Sequence, residues 1–237
     1  MYSAKFVPFE NIDWREQLQV LDVYITNQCQ AGCPSCGRFE DFFKFPFKTC
    51  ELLSMEHVPY ETVIKWIKNS IPRGKEYKIK LCGEFGDPMM HPNIFEIVRY
   101  VRHRQGNTVL VHTNGGLRNK DFYVKLAETL DPFGHLVFSI DGTTAETNDL
   151  YRKRVNFERA MDNMLTFAEH CHEGGCSWDF LIFDWNWQQI PEAAKIAKQY
   201  NIGIDFKFQD REYGLIADTN IPKANEMIEQ ARSILHD

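Results

Sequence analysis

No stretch of this chain stays apolar for anything near the ~20 residues that a membrane-spanning helix requires, so no membrane partner is expected. An excess of basic charge is lacking as well. Lys and Arg number 27 against 33 Asp and Glu, a net charge of −6, which argues against a bare nucleic-acid binder and leaves only a local basic patch for such a role. The opening residues Met1-Tyr2-Ser3-Ala4-Lys5-Phe6 lack the layout of a secretory signal. Seven cysteines without such a signal do not read as a disulfide framework. The expectation is a cytoplasmic protein with reduced thiols. There is no low-complexity linker, so the 237 residues are expected to form one domain: a lead-in over 1–20, a core over 21–208, and a loop and helix over 209–237.

Aromatic side chains are plentiful, with 18 Phe, 9 Tyr and 5 Trp, and core volume is not scarce. Short apolar runs at Val20–Ile25, Tyr77–Cys82, Val109–His112, Leu136–Ile140, Trp178–Phe183 and Ile202–Phe208 read as strands. Helical stripes fall between them. Val63, Ile64, Ile67 and Ile71 share one face before Pro72-Arg73-Gly74 stops that helix, and Ile94, Ile97, Val98 and Val101 form the buried stripe of Asn93–Arg104. Further helices are expected over Lys120–Leu130, Asn156–His172, Gln188–Tyr200 and 221–236, the last with Asn220 before it and Pro222 in its first turn. A β-then-α alternation repeated about six times, with nearly continuous apolar strands, predicts an α/β fold whose parallel sheet is buried on both faces. Whether the sheet is doubly wound or barrel-like, its active site belongs at the C-terminal ends of the strands.

The first of those ends carries Cys29, Cys33 and Cys36, spaced so that all three can point inward from one loop. Soft thiolates select zinc or an iron–sulfur cluster. Zinc wants a fourth ligand, which Cys50 or His57 could supply. Three thiolates on a four-iron cluster would instead leave one iron open to a substrate or cofactor. The next stretch has Phe39, Phe42, Phe43, Phe45 and Phe47, broken by Pro46. It reads either as an apolar cover for a metal site or as core packing beneath a long loop.

Cys29-x3-Cys33-x2-Cys36 after a first strand resembles the signature of the radical S-adenosylmethionine (radical SAM) superfamily, and four later segments fall where that family would place them. Gly86-Asp87-Pro88-Met89-Met90-His91-Pro92 resembles the family's Gly-Gly-Glu turn, which meets the amino group of the cofactor's methionine. Gly83 and Glu84, nearer the strand, offer a second alignment. Thr113-Asn114-Gly115 resembles a Thr-Asn-Gly turn lying against the cofactor. Ser139-Ile140-Asp141-Gly142 resembles a Ser-Leu-Asp-Gly segment of peptide-modifying branches, where the Ser contacts cofactor. The resemblance then points to Arg152, before Arg154 and Arg159, as the partner of the cofactor carboxylate. Without the cysteines, the glycine-rich and acidic segments would read as plain turns. One departure is Ser35, where the family usually has an aromatic residue that helps seat the adenine.

The resemblance implies a partial (β/α)6 TIM-like barrel, open at one side. It implies a 4Fe–4S cluster and S-adenosyl-L-methionine (SAM) as cofactors, with a 5′-deoxyadenosyl radical taking hydrogen from substrate. An external one-electron reductant of flavodoxin or ferredoxin type is the implied partner. A peptide substrate is expected, with a nucleoside or small metabolite as the alternative. A metal-stabilised binding protein without turnover is the rival class. Cys82 stands alone near the mouth, while Cys171 and Cys176 read as structural, and no later cysteine exists to hold an auxiliary cluster. Trp185, Trp187, Asp210, Arg211 and Tyr213 read either as lining for the substrate side or as core-edge packing.

Overall fold

Alternation of apolar and polar residues places every strand with one face against helices. The structure, a computed structural model, describes residues 20–39, 56–71, 77–82, 85–103, 107–208 and 215–236. Its strands are β1 (Val20–Asp22), β2 (Lys78–Leu81), β3 (Thr108–Thr113), β4 (Gly134–Ser139), β5 (Cys176–Ile182) and β6 (Gly203–Phe208). Between and after them lie α1 (Tyr60–Ser70), α2 (Ile94–Arg102), α3 (Lys120–Leu130), α4 (Ala145–Tyr151), α5 (Phe157–His170), α6 (Ile190–Gln199) and α7 (Ile221–His236). Each strand pairs in parallel with its sequence neighbours, in the order β1-β2-β3-β4-β5-β6. Among the described residues β1 and β6 do not pair with each other, so the sheet is an open partial barrel.

Register explains where the core sits. Leu21 lies opposite Ile79 and Ile79 opposite Val109; Val111 lies opposite Leu136; Phe138 lies opposite Trp178, and Phe180 opposite Phe206. This apolar row faces the helices: Phe138 packs against Tyr123 of α3 and Phe167 of α5, at ring separations of 5.5 and 6.0 Å. The other face is not buried in the same way. Lys80, His112, Asp179 and Lys207 alternate with the apolar row; the first three are only partly buried and Lys207 is exposed. The expectation of burial on both faces is corrected here: Lys78-Ile79-Lys80-Leu81 and Trp178-Asp179-Phe180 alternate, and an open barrel keeps one face hydrated.

Two local departures matter to the site. β1 ends early because the chain leaves β2: Val58 N donates to Ile25 O at 2.9 Å, and Thr26 bridges antiparallel to His57. α4 was not expected from periodicity. It is about two turns long, capped by Thr144, whose side chain accepts from Thr147 N, and it carries Arg152 to the mouth at its C-terminal end.

Candidate functional site

Four loops, following β1, β2, β3 and β4, meet at one end of the sheet. The cysteine loop is curled by its own backbone, with Cys36 N donating to Cys33 O at 3.3 Å and Phe39 N to Cys36 O at 3.1 Å. Arg38, almost fully buried, donates from its guanidinium to the carbonyls of Cys29 and Ala31. Ser35 adopts a left-handed backbone with φ 62°, as do Arg118 and Arg154 in the loops beside it. Three of the four described non-glycine residues with positive φ therefore lie at this junction, a form of strain that collects at functional sites.

Gln30 and Asn114 join the first loop to the third strand. Gln30 Nε2 donates to Asn114 Oδ1 at 2.6 Å, and Asn114 Nδ2 points to Cys29 Sγ at 3.5 Å. Asn114 is itself positioned by Asp87, which is 3% exposed. Asp87 accepts from Met89 N at 2.9 Å, Thr113 Oγ1 at 2.9 Å, Asn114 N at 2.9 Å and Asn114 Nδ2 at 2.7 Å. Its own amide donates to Gln28 O at 2.8 Å. The Asp87 carboxylate is thus a clasp between loops. Burial pushes its pKa above the usual carboxylate range, against the pull of those donors. Gly86 beside it abuts backbone: a Cβ there would lie 2.3 Å from Thr26 O. Gly83 and Glu84 lie outside the described residues.

On the far side, Asp141 is fully buried and holds Arg152, Nε donating to Oδ2 at 2.6 Å. Asp141 is fixed in turn by Leu181 N donating to Oδ1 at 3.0 Å, while Asn148 Oδ1 accepts from its amide at 3.0 Å. Arg152 Nη1 lies 4.0 Å from Cys33 Sγ. Gly32 N donates to Lys153 O at 2.7 Å, which clips the basic turn onto the cysteine loop. Ser139 lies on the inner face of β4 with its hydroxyl bonded to no described residue.

The donor chemistry bears on what the cysteines hold. Burial pushes the Cys29 thiol up to about 12, with Asp87 adding to the effect, and burial raises Cys33 too despite Arg152. Yet donors are aimed at these sulfurs: Ala31 N reaches Cys29 Sγ at 3.4 Å, beside Asn114 and Arg152. Buried sulfurs supplied with donors suit thiolates bound to a positively charged group. Among the described residues no three His, Cys, Asp or Glu converge on a point that one metal ion could occupy. A four-iron cluster takes each thiolate on a different iron and asks for no such convergence, so the set fits a cluster. His57, one fourth ligand considered for zinc, is engaged at 2.9 Å with Thr26 Oγ1 and packs edge-on against His91; Cys50 lies outside the described residues.

The structure brings Cys29, Cys33, Cys36, Asp87, Thr113, Asn114, Asp141 and Arg152 to one end of the sheet. Gln30, Arg38, Asn148 and Asn186 are added as supports that sequence reading missed. Asn186, fully buried, donates to Asp141 O at 3.0 Å and Leu181 O at 2.9 Å. Nothing in spacing marks Gln30, Arg38 or Asn186, because each acts through carbonyls or loops that are adjacent only after folding; Asn148 opens the segment that ends in Arg152. Trp185 stacks flat on Phe183 at 4.7 Å and packs with the core edge; Asp210, Arg211 and Tyr213 lie outside the described residues. Cys176 is buried at the start of β5, the end of the sheet opposite this junction.

Comparison with known proteins adds family and fold. A model of the radical SAM superfamily matches residues 23–197. The tungsten-containing aldehyde ferredoxin oxidoreductase cofactor-modifying protein of Pyrococcus furiosus is 24% identical over 205 residues, covering 79% of this chain and 50% of that protein. Streptococcus suis SuiB bound to S-adenosylmethionine is similar with a TM-score of 0.64 and 15% identity, over 91% of this chain and 48% of SuiB. Native anSMEcpe with bound AdoMet and a peptide gives 0.59 and 15%, over 89% of this chain and 57% of that one. HydG from Carboxydothermus hydrogenoformans, a hydrogenase maturase, gives 0.58 and 13%, over 94% and 54%. At such identities the structural likeness is one of fold, and the chain spans about half the length of these proteins.

Proposed function

This chain belongs to the radical SAM superfamily, and we propose that it holds a 4Fe–4S cluster on Cys29, Cys33 and Cys36, binds SAM at the open iron, and takes a hydrogen atom from a peptide. When bound, these groups supply one electron to the SAM sulfonium and a 5′-deoxyadenosyl radical as the hydrogen acceptor. The chain's own residues supply placement. Asp87 holds Thr113 and Asn114 against the cysteine loop, so its effect on SAM runs through the turn it fastens. Asp141 spends one edge of the Arg152 guanidinium and keeps it charged within the protein, leaving the other edge for the cofactor carboxylate. Ser139 offers a hydroxyl from the inner face. Gly86 lets the turn approach β1, and Gly83 with Glu84 remains the second acidic stretch for the methionine amino group.

The observation that carries this reading is the aim of Asn114 and Arg152 at the thiols of Cys29 and Cys33, from two different loops. A simple turn needs neither. A peptide is favoured by the open sheet and by anSMEcpe, whose structure holds AdoMet and a peptide together. The Pyrococcus furiosus protein, named as cofactor-modifying, supports the alternative of a nucleoside or small metabolite. An external flavodoxin- or ferredoxin-like reductant would supply the electron, in a reducing cytoplasm.

The test is anaerobic purification and reconstitution with iron and sulfide, followed by SAM and reductant. About four irons per chain and 5′-deoxyadenosine are expected, iron being lost in Cys29→Ala, Cys33→Ala or Cys36→Ala and kept in Cys171→Ala. A site that fills with zinc and refuses iron overturns the reading in favour of a metal-stabilised binding protein.

A further inference from the structure

Among the described residues, four charged side chains stand buried or nearly so around the cysteine loop: Asp87, Asp141, Arg38 and Arg152. Two of them cancel, since Arg152 Nε meets Asp141 Oδ2 at 2.6 Å. Asp87 keeps a carboxylate close to a thiol. Asn114 Nδ2 lies 2.7 Å from Asp87 Oδ2 and 3.5 Å from Cys29 Sγ. Lys153 and Arg154, which flank the loop from outside, are at least partly exposed and screened by water. Arg38 is left as the buried cation that offsets Asp87.

Arg38 is 3% exposed, and its guanidinium donates to the carbonyls of Cys29 and Ala31. Its Nε is buried without a partner, and among the described residues no carboxylate forms an ion pair with it. A unit charge is thus held against the main chain of the first cysteine. A neutral amide would serve to hold carbonyls, and a guanidinium withdrawn from water costs far more to bury. What the guanidinium adds is its charge. Three thiolates exceed the positive charge of a four-iron core, and the electron that reduces the core widens that excess. A cation buried beside the thiolates favours the reduced state, because net charge near the sulfurs shifts such potentials.

Resting on the cluster reading proposed above, we propose that Arg38 raises the reduction potential of the group held by Cys29, Cys33 and Cys36 through its buried charge. Its two hydrogen bonds shape the loop, and its charge eases delivery of the electron by the external reductant.

Anaerobically reconstituted protein without SAM would be titrated with reductant, the reduced cluster being followed by electron paramagnetic resonance. Arg38→Gln should load iron like the parent chain and shift the midpoint negative by at least about 59 mV, a tenfold change in the ratio of reduced to oxidised cluster. Arg38→Lys keeps the charge, loses the fork and should recover most of that shift. Arg99→Gln, which removes an exposed charge on α2, should leave the midpoint unchanged. Should Arg38→Gln refuse iron while Arg38→Lys takes it, with the metal-free chains unfolding alike, the charge is needed even to hold the thiolates together, which supports the inference. An unchanged midpoint in Arg38→Gln, equal shifts in the Gln and Lys variants, an equal shift in Arg99→Gln, or iron lost from both Arg38 variants overturns it. Iron and sulfide content of the parent chain separates the two levels. A parent that takes up no iron overturns the cluster reading and this inference with it, whereas a loaded parent with an indifferent Arg38 overturns this inference alone.

Discussion

The Asp87 carboxylate gathers four donors, the amides of Met89 and Asn114, the Thr113 hydroxyl and the Asn114 side chain, and is 3% exposed. Asp87→Ala leaves all four without their acceptor in a buried place. Each orphaned group costs on the order of 1 kcal/mol or more, so a loss of about 3–5 kcal/mol is expected from urea unfolding of the metal-free chain. Thr113→Val removes one donor only and should cost about 1 kcal/mol. Equal losses in the two variants would show that the clasp is not centred on Asp87. A second residue sets a pH dependence. Burial lowers the His112 pKa from 6.5 to about 4, with Asp179 and Asp22 opposing and Lys80 and Lys207 assisting. Below pH 6.5 the unfolded chain takes up a proton that the folded chain refuses, so stability should fall as pH drops toward 4 and level off below it. The expected loss is on the order of 1–3 kcal/mol, absent in His112→Gln, measured by denaturant titration from pH 7 to pH 4.

Between elements, the decisive contact is the turn after β2 against the loop after β1. A Cβ on Gly86 would meet Thr26 O at 2.3 Å, Thr26 C at 2.8 Å and Asn27 Cα at 2.9 Å, all main-chain atoms that cannot rotate away. Gly86→Ala must therefore push the Asp87 turn off the cysteine loop and strain the Asp87 N to Gln28 O bond of 2.8 Å. A loss of about 3 kcal/mol, with cluster loading falling alongside, is expected from unfolding and iron analysis. Gly174→Ala makes the contrast: with φ +74° and nothing within 4 Å, it should cost about 1 kcal/mol for the left-handed backbone alone and leave iron content unchanged. If both variants load iron like the parent chain, the turn does not position the site. α4 belongs to this scale too, since its short length and Thr144 cap set where Arg152 emerges beside Asp141.

For the molecule as a whole, the open sheet puts its C-terminal loops in contact across three strands. Gln30 reaches Asn114 at 2.6 Å, Gly32 reaches Lys153 at 2.7 Å, and Arg152 reaches Asp141 at 2.6 Å. A group bound by all three cysteines adds its binding free energy to the folded state alone. Anaerobic loading should therefore raise Tm by about 5–10 °C relative to the metal-free chain, a shift that several kcal/mol would give at this size. Cys33→Ala should show no such rise. An unchanged Tm in the loaded parent chain would mean that the thiols do not share one group.

What the sequence determined alone was local or periodic. The β-then-α alternation, the apolar stripe of Ile94, Ile97, Val98 and Val101, and the spacing of Cys29, Cys33 and Cys36 lie within single turns or strands, where backbone geometry fixes which side chains share a face. Tertiary structure decided which partner each polar group found. Asp87 and Thr113 are 26 residues apart, Gln30 and Asn114 are 84, and Arg152 and Cys33 are 119, so no period or motif encodes their meeting. Asp87 became a clasp because folding spent its carboxylate on the next loop. The inner face became charged because an open barrel turns one side of each alternating strand toward helices and the other toward water.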